Sequence, residues 1–404
     1  MLLLDDNRKV GFKMKQKVGI ITFHAAWNYG AILQCTALYR KLESMGCEVR
    51  VIDYQPTNRV EKIFRNPIRE SVTLFRSLED TTCAYKLFRA ALRFVRCIVD
   101  LRNIPGIRRK KHEFEEFRNK HLSMTCRYVS LDELQRNPPD FDAYICGSDQ
   151  LWNTSLTGGV YDPAYFLAFG KPTVKRAAYA VSACSIQNKD DVTLTDLLGN
   201  IDYLSLREKK NQKIIEKQSG KEVCICPDPT LLLSAGEYEK MERIVSVDEP
   251  YAFVYLLSKE NAIEPGKSLV KLLKNTYHLS IIDASPNMFL GSKGITAMPN
   301  LSPGEWLYLI HHAEYVITNS FHCTVLSSIY KKQCVVLPCH ESNMERLEEF
   351  TEKAGLEERV IYTGKEAERV LGNTLEHAAM ICYQKEAQAT ADLYLKKCLS
   401  ERIK

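Results

Sequence analysis

The chain has no C-x-x-C pair, no G-x-G-x-x-G turn and no apolar run near the roughly 20 residues that span a bilayer. Each absence excludes something. Without cysteines at metal spacing there is no zinc ribbon, and no other metal-ligand spacing is visible. Without the glycine fingerprint the nicotinamide dehydrogenases fall away, although Asp53 ends a strand where those enzymes keep a ribose-binding acid. Charge of one sign is also lacking: 55 basic residues stand against 50 acidic ones, a net +5. That balance excludes a dedicated nucleic-acid binder and leaves a modest bias towards small anions.

The 14 cysteines are scattered, and Cys35, Cys146, Cys184 and Cys334 lie in apolar runs, where a thiol acts as a small core hydrophobe. A reducing, cytoplasmic setting is the expectation. Met1-Leu-Leu-Leu runs straight into Asp5, Asp6 and Asn7, which is not the order of a signal peptide, so no export is expected.

With 404 residues, the chain is too long for one ordinary core. Lys17 to Phe23 reads as a buried strand, Ala31 to Met45 as an apolar-periodic helix ended by Gly46, and Glu48 to Tyr54 as a second strand. This βαβ opening predicts a parallel sheet. Further strands are expected at Phe141 to Cys146, Arg176 to Ser182, Tyr203 to Leu206 and Val223 to Cys226. A second series follows at Ala252 to Leu257, Leu279 to Asp283, Tyr315 to Thr318, Cys334 to Leu337 and Arg359 to Tyr362. The expected fold class is therefore α/β, with two Rossmann-like domains at residues 1–236 and 237–374. A helix in 375–404 has no strand after it and would cross back over the first domain. Tandem sheets of this kind place a ligand cleft between the carboxyl ends of their strands.

Ala84 to Arg102 reads as a basic amphipathic helix, followed by Arg108-Arg-Lys-Lys111. It packs on the sheet with a solvated charged face, or lies on a membrane surface, in which case contact with the inner membrane is peripheral.

Polar residues gather where strands end. Asn28, Tyr29 and Gly30 open the first helix, whose free N–H groups suit an anion or polar ligand. Ser148, Asp149, Gln150, Trp152 and Asn153 leave the Phe141 strand as a site lining or as a loop with a cap. Arg207 can fork onto a carboxylate or phosphate, or pair with a neighbour such as Asp228. Asn319, Ser320, His322 and Thr324 surround a helix start, where the dipole favours a neutral imidazole.

The blocks Asn28-Tyr-Gly-Ala-Ile-Leu-Gln34, Gly147-Ser-Asp-Gln-Leu-Trp-Asn153, Ser205-Leu-Arg-Glu208, Asp228-Pro-Thr-Leu-Leu-Leu233 and Thr318-Asn-Ser-Phe-His322 resemble, in order, the polysaccharide pyruvyl transferase family. The resemblance implies two domains arranged as in B-type glycosyltransferases and transfer of a pyruvyl group from phosphoenolpyruvate to a sugar. The product is a pyruvate ketal in capsule or exopolysaccharide biosynthesis, the acceptor is a free, nucleotide-linked or lipid-linked sugar, and no cofactor or metal is needed. Arg207 and His322 match the family's donor-binding arginine and site histidine. Several family types carry an Arg two residues before that histidine, where this chain has Ser320, so Arg346 is expected to supply the missing anion contact, with Lys331 or Lys332 as fallback. The donor set is then Arg207, Asn319, Ser320, His322, Thr324 and Arg346, with Asp149 activating the sugar hydroxyl; Asn28, Tyr29, Gly30, Ser148, Gln150, Trp152, Asn153 and Asp228 line the acceptor side. The nearest alternative is a nucleotide-sugar glycosyltransferase of the same architecture, but the helix Cys323 to Tyr330 lacks the carboxylate that would hold a ribose. A non-catalytic sugar-binding protein is a further alternative, opposed by the full set of polar strand ends.

Overall fold

The structure, a computed structural model, describes residues 15–400 except 57–103, where only isolated positions are described, and short loop positions at 184–185, 187–190, 249, 260, 288–289 and 292. Seven strands form the first sheet: β1 (Lys17–Ile21), β2 (Glu48–Tyr54), β3 (Met124–Tyr128), β4 (Ala143–Asp149), β5 (Lys175–Val181), β6 (Tyr203–Leu206) and β7 (Val223–Ile225). Their order is β3-β2-β1-β4-β5-β6-β7. The second sheet holds β8 (Tyr251–Tyr255), β9 (Ser280–Asp283), β10 (Thr296–Ala297), β11 (Tyr315–Thr318) and β12 (Gln333–Val336), in the order β10-β9-β8-β11-β12. Every pairing is parallel. The strands are apolar on both faces, as in Val18, Ile20 and Ile21 of β1, because helices cover both sides of a parallel sheet.

Both sheets change direction at their first strand, and such switch points open crevices at the carboxyl ends. At the first one, helix α1 (Tyr29–Ser44) starts on Asn28, whose side chain accepts from Ala31 N at 3.1 Å. Helix α2 (Ile104–His121) brings the basic run Arg108 to Lys111 back over the sheet. In the second domain, α3 (Pro303–His312) opens with a capping box of Ser302 and Glu305. Helix α4 (Phe321–Ile329) follows β11, and α5 (Glu341–Ala354) follows β12.

The core does not stop at the domain boundary. Tyr29 of α1 stacks on Trp306 of α3, with ring centroids 4.8 Å apart and planes 5° off parallel. Its hydroxyl donates to Leu301 O at 3.0 Å. The C-terminal helix α6 (Ala378–Ser400) lies against the first domain: Gln384 donates to Leu233 O, and Tyr394 donates to Ala178 O in β5.

One expectation needs correcting, and two elements went unforeseen. The segment Arg359 to Tyr362 is not a strand; a short 3-10 turn runs through Arg359, and Val360 makes only an isolated bridge to Val336. Strand β3 and helix α2 were not anticipated, because Met124-Thr-Cys-Arg-Tyr128 is an edge strand without a continuous apolar run. The amphipathic stretch Ala84 to Arg102 lies outside the described residues, save isolated helical positions. No helix among the described residues is long and apolar enough to cross a membrane.

Candidate functional site

Strand ends from both domains bring Arg207, Asp228, His322 and Arg346 together. Arg207 follows β6 and is buried, its Nη1 donating to Asp228 Oδ2 at 2.7 Å. Its Nε stands 3.5 Å from Glu208 Oε2. Asp228 is fixed from the other side by Thr230, whose N and Oγ1 donate to Oδ1 at 3.0 and 2.7 Å. His322, in the first turn of α4, sets Nε2 3.5 Å from Asp228 Oδ2. Burial alone would push the Asp228 carboxyl up, but His322, Arg207 and the Thr230 N–H outweigh it and hold it well below the usual carboxylate range.

The two guanidiniums meet at one aromatic ring. Arg207 Cζ lies 5.5 Å from the centre of Phe321, and Arg346 Cζ, from α5, lies 4.8 Å from it. Burial, and next the charge of Arg207, pull the Arg346 guanidinium below its usual range. Arg207 is held above its own range because Asp228, Glu208 and Asp149 outweigh the effect of burial. Arg207 Nε and Nη2, Arg346 Nε and His322 Nε2 are all buried without a hydrogen-bond partner. Unmade bonds of this kind cost about 1–3 kcal/mol each, more when charged. A bound anion would satisfy them.

Gly30 lets the domains close on this cluster. A Cβ there would stand 2.1 Å from His322 Nδ1, so only glycine permits the ring to lie on α1. Gly147 does the same inside the first domain: its φ is +141°, and a Cβ would meet Tyr179 O at 2.0 Å. Asp149 then leaves β4 with φ of 79°, a strained backbone for a residue with a side chain.

A cavity of about 530 Å³ opens beside Asp149, at the switch point of the first sheet. Asp149, Gln150, Asn28, Trp27 and Tyr165 line it, and every lining residue belongs to the first domain. The expected cleft between the domains is therefore, in this cavity, a first-domain feature.

Several expected site residues serve the framework instead. Trp152 is a core residue, stacked on Phe166 at 5.1 Å with Nε1 donating to Tyr165 O. Ser148 is fully buried, donating to Ala180 O and receiving Thr22 Oγ1 on its carbonyl. Tyr29 joins the domains and does not line a cleft. Asn319 spends its side chain on Leu257 N, Ser258 O and Pro338 O. Thr324 Oγ1 donates to Ser320 O inside α4, and Ser320 caps that helix by accepting from Cys323 N at 3.5 Å. Asn153 caps the short turn after it and donates to Gln150 Oε1. Lys331 and Lys332 lie past the far end of α4, more than 10 Å by helical rise from its first turn, and cannot replace Arg346.

Glu208 and Gln34 were quoted in motifs without a role. Glu208 Oε1 accepts from Ser182 Oγ and Ala183 N at 2.5 and 3.0 Å, and Gln34 bridges Thr22 Oγ1 and Ser148 N. A second pair went unnoticed: His24 Nε2 lies 2.9 Å from Asp53 Oδ1 behind the cavity. Glu242, His311 and His312 are the described group with metal-ligand spacing; Glu242 already accepts from His311 Nδ1 at 2.9 Å, and none of the three touches the arginine cluster.

The family model for polysaccharide pyruvyl transferase matches residues 28–341, and the chain belongs to that family. No curated protein matches it. Among solved structures, it is similar to a putative UDP-N-acetylglucosamine 2-epimerase from Listeria monocytogenes, at 11% identity and TM-score 0.49, over 95% of each chain. The UDP-GlcNAc 2-epimerase of Methanocaldococcus jannaschii gives 12% and 0.49 over 94% of this chain and 98% of that one. The calicheamicin glycosyltransferase CalG4 gives 12% and 0.44 over 94% and 95%.

Proposed function

We propose that the protein transfers a pyruvyl group from phosphoenolpyruvate to two hydroxyls of a sugar, making a cyclic ketal for a capsule or exopolysaccharide. One observation carries this reading: two arginines from different domains flank Phe321 with buried N–H groups that make no hydrogen bond, beside His322 Nε2, which only approaches Asp228 at 3.5 Å. Phosphoenolpyruvate is a compact dianion or trianion whose carboxylate and phosphate match two guanidiniums.

The chemistry follows in four moves. A proton goes to the methylene carbon, making a methyl group and an oxocarbenium-like C2. One sugar hydroxyl attacks C2 and loses its proton. The C2–O bond to phosphate breaks, with the electron pair leaving on phosphate. The second hydroxyl attacks, loses its proton and closes the ring. Arg207 and Arg346 hold the two anionic groups, and His322 carries the proton. Asp149, on the cavity wall and close enough to influence both arginines, receives the hydroxyl proton. No residue role here requires a metal or cofactor, and the enzyme works at the cytoplasmic face on a free or carrier-linked sugar.

The test is calorimetric titration with phosphoenolpyruvate and, in parallel, uridine diphosphate. Arg346→Gln is the informative variant, because Arg346 takes no part in the Asp228 pairing. Saturable donor binding that weakens about 10- to 100-fold in the variant is expected, the worth of one or two charge-assisted bonds. Binding of the nucleotide without phosphoenolpyruvate would move the protein to the glycosyltransferases.

A further inference from the structure

The cavity beside Asp149 contains a cation that the reaction scheme does not use. Arg118, on α2, is only 4% exposed, lines the cavity, and has a buried Nε without a hydrogen-bond partner. Its acidic neighbours Asp53 and Glu115 favour its charge, but each also serves another cation. Asp53 is taken by His24, by Gln55 at 2.6 Å and by Arg127 at 3.2 Å, which hold its carboxyl well below the usual range against the effect of burial. Glu115 has Lys111 at 3.8 Å. Lys111, Glu115 and Arg118 share one face of α2, at i, i+4 and i+7, and all three line the cavity with Arg127. Burial pulls the Arg118 guanidinium below its usual range, the sign of a charge held without enough compensation.

The remaining walls are of another kind. Phe23, Trp27, Tyr54 and Tyr165 supply flat apolar faces of the sort on which sugar rings stack, and Asn28, Gln150 and Asp149 bring polar groups. The lining thus combines aromatic faces, the cations Arg118 and Arg127, and Asp149, whose charge reaches both Arg207 and Arg346.

We infer that the acceptor is a phosphorylated sugar, its phosphate held by Arg118 and Arg127 and its reacting hydroxyls presented at Asp149. This rests on the pyruvyl-transfer reading for the identity of the other substrate, but not for the anion site itself. The volume of about 530 Å³ suits a sugar and its phosphate, with any carrier continuing outward.

Trp27 makes the site directly observable, since Trp152 and Trp306, the other two tryptophans, are fully buried. Inorganic pyrophosphate, uridine diphosphate and geranyl diphosphate would be titrated against tryptophan emission, with Trp27→Phe as the signal control. Saturable quenching by pyrophosphate is expected, weakened at least 10-fold in Arg118→Gln and partly restored in Arg118→Lys. Should Arg118→Gln fail to fold, Arg127→Gln, at a half-exposed position, should show the same direction. Tighter binding of the geranyl ester assigns the phosphate to a lipid carrier, tighter binding of the uridine ester to a nucleotide, and equal binding of all three to a simple sugar phosphate. Unchanged pyrophosphate affinity in Arg118→Gln, or no Trp27 signal at all, overturns the inference. Phosphoenolpyruvate binding read by calorimetry on the same variants separates the two ideas. If it persists while the pyrophosphate effect is absent, only this inference fails; if it is absent while the pyrophosphate effect stands, only the donor assignment fails.

Discussion

Replacing Gly30 by alanine puts a methyl group where the His322 ring stands. The new carbon would be 2.1 Å from Nδ1 and 2.6 Å from both Cγ and Cε1. Ordinary carbon contacts need about 3.5–4 Å, so ring or helix must move by roughly 1.5 Å. The ring is confined by Phe321, whose centroid is 5.2 Å away, and by Asp228 at 3.5 Å. Two energies then oppose each other. A helix prefers alanine to glycine by about 1 kcal/mol, and overpacking costs about 1–3 kcal/mol, which leaves Gly30→Ala folded and at most about 2 kcal/mol weaker. In Gly30→Ala/His322→Ala the methyl occupies the space of the missing ring, so the overlap disappears and the helix preference remains. Urea unfolding of the four proteins should return a coupling of about 1–3 kcal/mol. The same shift displaces the proton carrier, and an error of about 1 Å in placing a reacting group costs on the order of 10²-fold. Phosphate release from phosphoenolpyruvate with acceptor should fall by that factor in Gly30→Ala. Additive stabilities within about 0.5 kcal/mol would refute the contact, and parental turnover would remove His322 from the chemistry.

Arg207→Met removes the cation that pairs with the buried Asp228 and Glu208 carboxylates and should cost about 3–5 kcal/mol by urea midpoint; a loss below about 1 kcal/mol would mean the pairing is absent in solution. Trp306→Ala should cost about 3–5 kcal/mol and lower the melting temperature of the whole molecule in one transition, whereas two separate transitions would show that the domains fold independently. Burial, aided by Lys120 and Arg40, pushes the His121 imidazole down to about 4. Its folded value lies below the ordinary 6.5, so the stability it contributes is complete above about pH 6.5 and lost as pH falls towards 4, by about 3 kcal/mol in all. His121→Leu should flatten that part of the stability profile, and an unchanged slope between pH 7 and 4.5 would contradict the assignment.

The sheets were legible because parallel strands are continuous apolar runs, and Lys17 to Phe23 or Tyr315 to Thr318 admit no other reading of comparable length. Edge elements were not. Strand β3 has exposed cysteine and arginine, and its place depends on pairing with β2, which no local pattern announces. Among the site residues, Arg207 and His322 carried their own signal, since charged groups at the ends of buried runs demand a reason, whereas Arg346, in the polar stretch Glu341 to Glu349, was reached only through the family resemblance. Trp152, Ser148, Asn319 and Thr324 misled because a polar or aromatic side chain at a strand end has the same spelling whether it faces a ligand or ties a loop. Arg118 was hidden for the opposite reason: on α2 it sits among Glu115, Glu116 and Lys120 and reads as a solvated helix face until the cavity wall is seen.

The stack of Tyr29 on Trp306 sets how the molecule can move. The stack is not isolated: Tyr29 also packs on Phe114 and Tyr255, and Trp306 on Phe253 and Tyr255, each aromatic pair adding about 0.5–1.5 kcal/mol beyond the area it buries. With the Tyr29 hydroxyl on Leu301 O and one apolar core running through both sheets, the two halves are tied together as one body. The first-domain cavity stands beside that core, lined by residues of the first domain. The same shared core therefore sets the spacing of Arg346 and Arg207 across Phe321, so that a change at the stack reaches the arginine pair as well.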